Sequence, residues 1–131
     1  LGLPPRLTAA TGMDALSHCI ETYLSPRDNP PAEAIALDGA GRIARHLERA
    51  VRDGSDAQAR RELMMGALMG GMCFQKGLGA VHGLSHALGS LKEPALHHGA
   101  LNAVLLPPVL RFNAGHAGEK YARLAAAMRG R

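Results

Sequence analysis

The chain has 131 residues, 47% of them apolar, and a formal net charge of +4, which is enough for one domain with a buried core. Aromatic residues make up only 3%, so the core must be aliphatic, a composition that favours packed helices over a sheet. Basic residues are spread out beside acidic ones without interleaved aromatics, which argues against nucleic-acid binding. No segment approaches the roughly 20 apolar residues that span a bilayer, so no membrane partner is expected.

The first half of the chain predicts three helices. A loop over residues 1–10 leads to a helix that begins at a Thr11 cap and ends near Leu24. The turn-rich segment SPRDNPP separates it from a second helix over residues 32–52. A third helix over 57–75 follows a cap at Ser55 or Asp56. Its glycine-rich GALMGG segment predicts close approach of another backbone.

The second half continues with a short helix over residues 80–88, a loop over 89–97 and an apolar segment, GALNAVLLPPVLRFN, typical of a buried helix. Pro107 and Pro108 are expected to kink or break that helix. A last helix covers about 117–129, and no strand is predicted. The prediction is an all-α helical bundle forming one domain over residues 1–131.

Two cysteines, Cys19 and Cys73, lie in apolar helical patterns without a CxxC motif. They are interpreted as buried free thiols of a cytoplasmic protein. No secretory signal is visible, and the absence of an initiator methionine suggests a piece of a longer protein.

Several histidines and one aspartate form the pattern most typical of a metal-binding or catalytic site. Asp14 and His18 are four residues apart, as are His82 and His86 in GAVHGLSHALG, so each pair shares one helix face. His98 stands where the apolar helix begins. Taken alone, Asp14 with His18 could be a surface pair and His98 a helix cap. Together, one carboxylate and three imidazoles suit a divalent transition metal. The set contains no thiolate, so it is not a cysteine-type structural zinc site.

Other histidines have simpler interpretations. His46 lies among arginines on a solvated helix face, and His116 lies in a polar turn. His97 neighbours His98 and could exchange roles with it, so the choice between them stays open from the sequence.

Two longer motifs carry a family resemblance. The segment LTAATGMDALSHCIETYLSP resembles the first metal-ligand signature of the iron-containing alcohol dehydrogenases. GLGAVHGLSHALG followed by HGALNAVLLPPVLRFN resembles the second signature, and GEKYARLAAAM resembles the helix that follows it. The resemblance covers nearly the whole chain. It implies an internal part of the C-terminal helical domain of a dehydroquinate synthase-like, iron alcohol dehydrogenase fold.

The resemblance also implies roles for individual residues. Metal ligands would be Asp14, His18, His82 and His98. His86 would be a catalytic residue that faces the substrate and the nicotinamide, and His86 and His98 would lie at the cofactor. The metal would be Fe²⁺, with zinc as an alternative, and the redox cofactor would be NAD or NADP.

The implied reaction interconverts an alcohol and an aldehyde or ketone by metal-assisted hydride transfer. The glycine-rich nucleotide-binding half of the family is absent from these residues, so this piece alone is expected to be inactive. A homo-oligomer is also expected. His97 stands where many members have proline, which leaves the assignment of His98 as the ligand open.

Alternative functions come from other classes. A helical metal-dependent hydrolase could use the same ligands, although the chain lacks a His-Asp dipeptide. Glycerol dehydrogenase and dehydroquinate synthase are nearer alternatives, but TGMDALSH favours the iron-type branch. A non-catalytic helical interaction module would use these histidines only for stability.

Overall fold

The computed structural model describes residues 1–130 and contains six α-helices and no strand in that range. The helices are α1 (Pro5–Leu24), α2 (Pro30–Arg52), α3 (Ala57–Met72), α4 (Ala80–Gly89), α5 (His98–Asn113) and α6 (Gly118–Arg129). Short 3₁₀ turns lie at Phe74–Lys76 and Ala114–His116. The all-α prediction is confirmed. Arg131, the last residue of the predicted domain 1–131, lies outside the described residues.

Helix α1 is the centre of the bundle. It packs against α2, α3 and α5, while α6 packs on α2 and α4 packs on α5. The core is aliphatic, as the composition predicts, with Ile20 and Ile43 almost completely buried. Among residues 1–130, no helix is both long enough and apolar enough to cross a membrane. Because α5 packs on α1 and α4 packs on α5, side chains from three separate parts of the chain can meet beside α1.

Glycines allow α1, α2 and α3 to approach closely. A Cβ atom at Gly66 would lie 2.5 Å from Ile43 Cγ1 and 3.0 Å from the carbonyl oxygen of Gly39. One at Gly70 would lie 3.0 Å from Cys19 Sγ. The predicted reason for the glycines of α3 is therefore confirmed at these two positions. Gly99 plays the same part for α5, because a Cβ there would collide with the backbone carbonyl of Ala10 in α1.

Helix α1 begins earlier than predicted. The expected loop over residues 1–10 is wrong beyond Pro4, since the helix begins at Pro5, which occupies its first turn. Proline suits that position because its missing N–H would have no partner inside the helix. Thr11 is not a cap; it lies within α1, where its hydroxyl donates to the carbonyl of Leu7 at 2.8 Å.

The predicted break at Pro107 and Pro108 does not occur, because α5 continues through both residues to Asn113. The two prolines leave the carbonyls of Ala103 and Val104 without their usual donors four residues later. Val104 is 73% exposed, so this turn faces solvent, where water can replace those donors. The other predicted helices have the expected positions to within three residues, and Asp56 caps α3 by accepting from the Ala59 amide at 2.9 Å.

Away from the histidines, Glu33 of α2 forms an ionic cluster with two lysines. Lys76 Nζ and Lys120 Nζ each lie 2.7 Å from Glu33 Oε1. The Lys76 side chain is fully buried and the Glu33 side chain is 24% exposed. Lys120 also donates to the carbonyl of Tyr23 at 2.9 Å. The Glu33 cluster therefore joins α2, α6, the end of α1 and the turn after α3.

Both cysteines are buried free thiols, as predicted. Burial raises the pKa of the Cys19 thiol to about 12. Several arginines are paired with acidic groups, for example Arg42 with Asp38 and Glu62.

Candidate metal centre

Asp14 and His18 lie on one face of α1, one helical turn apart. Their side chains are 25% and 19% exposed, and His18 Nε2 lies 3.5 Å from Asp14 Oδ1. The face they share is directed at α4 and α5, not at open solvent, so the predicted metal pair is favoured over a surface pair. His18 also stacks on the ring of His82, with centroids 4.6 Å apart.

Helices α4 and α5 bring two further imidazoles to the same carboxylate. His82 Nε2 lies 3.5 Å from Asp14 Oδ1, and His98 Nε2 lies 3.3 Å from it. His82 is almost completely buried, whereas the His98 side chain is 38% exposed. Residues separated by up to 84 positions in the sequence thus place three ring nitrogens around one carboxylate oxygen; this cluster is called the Asp14 cluster below.

The structure separates His98 from His97. His98 is the first residue of α5 and reaches Asp14, while His97 is the cap residue before it. The His97 side chain lines a different, apolar cavity of about 550 Å³ between the start of α1 and α5. Of these two neighbours, only His98 is placed beside Asp14.

His86 lies at the exposed edge of the cluster. Its ring stacks on His98 with centroids 5.1 Å apart and meets the edge of the His82 ring at 5.8 Å. One helical turn separates it from His82, so the shared face predicted for the pair is present. Phe74 packs edge-on against His18 at 4.8 Å and is half-exposed, an aromatic neighbour that the sequence did not predict.

The spacing of the donor atoms fits a small divalent metal. Ligands held tetrahedrally at about 2.1 Å from zinc stand about 3.4 Å apart, and ferrous iron bound by nitrogen and oxygen is similar. The three ring nitrogens lie 3.3–3.5 Å from Asp14 Oδ1. The nearest ligand atoms of Asp14, His18 and His82 all lie within 4.8 Å of one another. Asp14, His18 and His82 therefore suit iron or zinc in both chemistry and spacing, and His98 lies beside Asp14 as the fourth donor.

Asn102 is a member of this site that the sequence analysis missed. It lies one turn after His98 on α5 and is fully buried. Its amide nitrogen donates to Asp14 Oδ1 at 2.6 Å and lies 3.1 Å from His98 Nε2 and 3.2 Å from His82 Nε2. Its Oδ1 has no hydrogen-bond partner among the described residues. The Asn102 amide nitrogen therefore contacts Asp14 and two of the three imidazoles, and it ties α5 to this site.

Glu21 is the second residue that the sequence analysis missed. It lies on α1 three residues after His18, and its Oε2 is 2.7 Å from His82 Nδ1. Glu21 also accepts from the backbone amides of Val81 at 2.8 Å and His82 at 3.3 Å. The spacing of 14, 18 and 21 on one helix face is the signal that could have found it.

These contacts change the acid–base behaviour of the cluster. Burial disfavours the charged form of Asp14, but its hydrogen bond with His82 and the charge of His18 outweigh burial and lower the Asp14 pKa. Burial lowers the pKa of His18. Burial also opposes charging of His82, yet Asp14 and Glu21 at its two nitrogens raise its pKa to about 9.

Comparison with known proteins shows the family. Residues 8–131 match the profile of the "Fe-containing alcohol dehydrogenase family, C-terminal". The chain therefore belongs to the Fe-containing alcohol dehydrogenase family, as the resemblance of its motifs predicted.

Named relatives agree with this assignment. The chain is 58% identical to the 4-hydroxybutyrate dehydrogenase of Cupriavidus necator over 98% of its own length and 35% of that protein. It is 46% identical to the 1,3-propanediol dehydrogenase of Klebsiella pneumoniae over 98% of the chain and 33% of the relative. The chain thus spans about a third of the length of these relatives.

Solved structures show the same fold. A crystal structure of 1,3-propanediol oxidoreductase matches 97% of this chain and 33% of its own, with a TM-score of 0.92 and 46% identity. The iron-containing alcohol dehydrogenase of Thermococcus thioreducens matches with a TM-score of 0.85 and 32% identity, over 97% of this chain and 33% of that one. These relatives favour the dehydrogenase interpretation over a hydrolase or a non-catalytic module.

Proposed function

We propose that this chain is the metal-binding helical part of an NAD(P)-dependent alcohol dehydrogenase that interconverts a small alcohol and its aldehyde. The observation that carries the proposal is the convergence of Asp14, His18, His82 and His98 on one point. These four residues would hold Fe²⁺ or zinc. The remainder of the polypeptide would supply the nucleotide-binding half, by analogy with relatives about three times as long.

A metal ion held by these residues would supply Lewis-acid chemistry, which lowers the pKa of a substrate hydroxyl or, in the reverse direction, polarises a carbonyl. Within this chain, Asp14 contributes one negative charge and His82 is the most deeply buried of the three imidazoles. His98 is the most exposed and therefore borders the side that a substrate can reach. The buried amide of Asn102 fixes Asp14 through its 2.6 Å hydrogen bond.

His86 would move the proton in this reaction. Its exposed ring, stacked on His98, can accept the hydroxyl hydrogen of an alcohol and return it to a carbonyl oxygen, because a neutral imidazole both donates and accepts. We do not assign it as a ligand, because His82 and His98 lie beside Asp14, whereas His86 contacts the His82 and His98 rings at the exposed edge of the cluster. NAD or NADP, bound mainly by the rest of the polypeptide, would supply the hydride-transfer chemistry.

The substrate class is proposed from the relatives. The relatives quoted above are named for 4-hydroxybutyrate and 1,3-propanediol, each a primary alcohol with a second oxygen function at the far end of a short carbon chain. We propose an alcohol of this class for the complete protein. A cytoplasmic location agrees with two buried free cysteines. A homo-oligomer stays a prediction.

Elemental analysis of the complete protein, purified without added metal, tests the proposal. We expect about one iron or zinc per chain, lost in both Asp14→Ala and His82→Ala variants. Equal metal content in wild type and both variants would contradict the assignment. The loaded wild type should then oxidise 1,3-propanediol or 4-hydroxybutyrate with NAD or NADP, and a panel of simple monoalcohols serves as the comparison.

A further inference from the structure

Glu21 of α1 is not one of the proposed metal ligands, yet its carboxylate makes three close contacts with the first turn of α4. Its Oε1 accepts from the Val81 amide at 2.8 Å, and its Oε2 lies 2.7 Å from His82 Nδ1 and 3.3 Å from the His82 amide. Glu21 is only 6% exposed. A carboxylate taken out of water is costly unless it is well paired, and all of these partners lie on one turn of α4.

The first role of Glu21 is to cap α4 from another helix. The cap residue of α4 is Gly79, which has no side chain to bind the free amides of the first turn. A Cβ at residue 79 would lie 2.7 Å from Glu21 Oε1, so glycine leaves space for this carboxylate. The start of α4, which carries His82, is thus fixed to α1.

The second role concerns the ring of His82. An ionised carboxylate only accepts hydrogen bonds, so the Nδ1 that faces Glu21 must carry a proton. The other nitrogen, Nε2, faces Asp14 Oδ1 at 3.5 Å. When the ring is neutral, as a metal-binding imidazole must be, its single proton is therefore on Nδ1 and its lone pair is on Nε2, directed into the Asp14 cluster.

We propose that Glu21 is a positioning residue that holds the His82 ring with Nδ1 protonated and Nε2 free to bind the metal. This inference rests on the proposed role of His82 as a ligand. Carboxylates that accept from the distal nitrogen of a metal-binding histidine are worth about 10- to 100-fold in metal affinity.

Glu21→Gln is the sharpest test, because it changes the hydrogen-bond donors with almost no change in size. A glutamine amide nitrogen facing Nδ1 donates to it and moves the ring proton to Nε2, the nitrogen needed by the metal. If the amide turns over, its nitrogen faces the Val81 N–H, and two donors meet. Either orientation weakens the site.

The experiment measures zinc affinity of the complete, metal-free protein by competition with a chelator, and the visible spectrum of the cobalt-loaded form. We expect Glu21→Gln to bind zinc about 10- to 100-fold more weakly and to shift the cobalt bands. Glu21→Asp, which keeps an acceptor-only carboxylate, should bind more tightly than Glu21→Gln. Glu33→Gln is the matched control, since it removes the charge of a carboxylate in the separate Glu33 cluster, and its zinc affinity should stay within about threefold of wild type.

The outcomes separate this inference from the proposed function. Wild-type-like zinc affinity in Glu21→Gln, with His82→Ala unable to bind, would overturn the role of Glu21 alone. Equal affinity in wild type and His82→Ala would overturn the proposed ligand. If Glu21→Gln does not fold, nitrogen NMR of the zinc-loaded wild type, labelled at histidine, still decides: a proton on His82 Nδ1 supports the inference, and zinc on Nδ1 overturns it.

Discussion

Two ionic clusters in this protein are built around carboxylates, and they differ in what surrounds each one. The Glu33 cluster brings two lysine ammonium groups to one oxygen, so cationic donors meet an anionic acceptor and the charges are matched. The Asp14 cluster instead places three ring nitrogens around one carboxylate oxygen. A neutral imidazole nitrogen can supply a lone pair, and a metal ion requires lone pairs from its ligands.

The Glu33 carboxylate and the proposed metal-binding carboxylate of Asp14 thus differ in the chemistry of their neighbours. Both lie between helices, and neither is highly exposed. Lysines can only donate, so nothing further is needed at Glu33. The four predictions below test whether metal binding and stability divide between the two clusters in this way.

The largest effect is expected when a proposed ligand is removed. His98→Ala should weaken zinc or iron affinity by more than about 100-fold, since even an outer partner of a ligand can be worth that much. His97→Ala is the matched control, because the neighbouring histidine lines a separate apolar cavity. Chelator competition on the complete protein measures both. A greater loss of metal affinity in His97→Ala than in His98→Ala would make His97, not His98, the fourth ligand.

Glu33→Ala should instead affect the free energy of unfolding. Removing this carboxylate leaves the fully buried ammonium of Lys76 without its ionic partner, at a cost of about 3 kcal/mol. Urea unfolding of the metal-free protein measures the change, and metal affinity should not move. Loss of metal with unchanged stability would show that the two clusters are not separate.

His86→Ala tests the division within the histidines. We expect about one metal per chain, as in wild type, with turnover reduced by about 100-fold, the lower range for loss of a general acid–base group. Metal analysis and steady-state rates on the same sample provide the two readouts. Loss of the metal would make His86 a ligand, and an unchanged rate would remove it from the proton path.

The smallest effect is a difference in acid sensitivity. Hydrogen bonds from Lys120 and Lys76 hold the pKa of Glu33 below its ordinary value of 4.5. A carboxyl whose pKa is depressed on folding adds stability above its unfolded pKa and loses it as the pH falls through the folded pKa. Between pH 6 and 3, wild type should therefore lose more stability than Glu33→Gln. Parallel curves from thermal unfolding would contradict this, and Glu48→Gln, at an exposed pair, should follow wild type.

The sequence predicted most of the fold because helical periodicity and turn residues are local signals. The sequence prediction was wrong at two proline pairs, because a proline can either end a helix or be accommodated within one. Pro4–Pro5 begins a helix rather than extending a loop, and Pro107–Pro108 lies within α5 at an exposed turn where water can serve the freed carbonyls. Which outcome applies depends on packing, which periodicity does not describe.

The proposed ligands were predicted from motif resemblance, whereas the residues that hold them were not. Glu21 and Asn102 have local signals, since Glu21 continues the helical face of Asp14 and His18, and Asn102 lies one turn after His98. Their partners, however, lie on other helices, 60 and 88 residues away for the contacts to Val81 and Asp14. The sequence shows that such side chains share a face but not what that face meets.

The absence of a side chain at Gly99 determines how closely His98 and the start of α5 approach α1. Gly99, the next residue, lies against the Ala10 carbonyl so closely that any side chain there would push the start of α5 away from α1. Misplacing a functional group by about 1 Å can cost about 100-fold in rate. For protein engineering, residue 99 must therefore stay glycine if α5 is to be redesigned or exchanged between relatives.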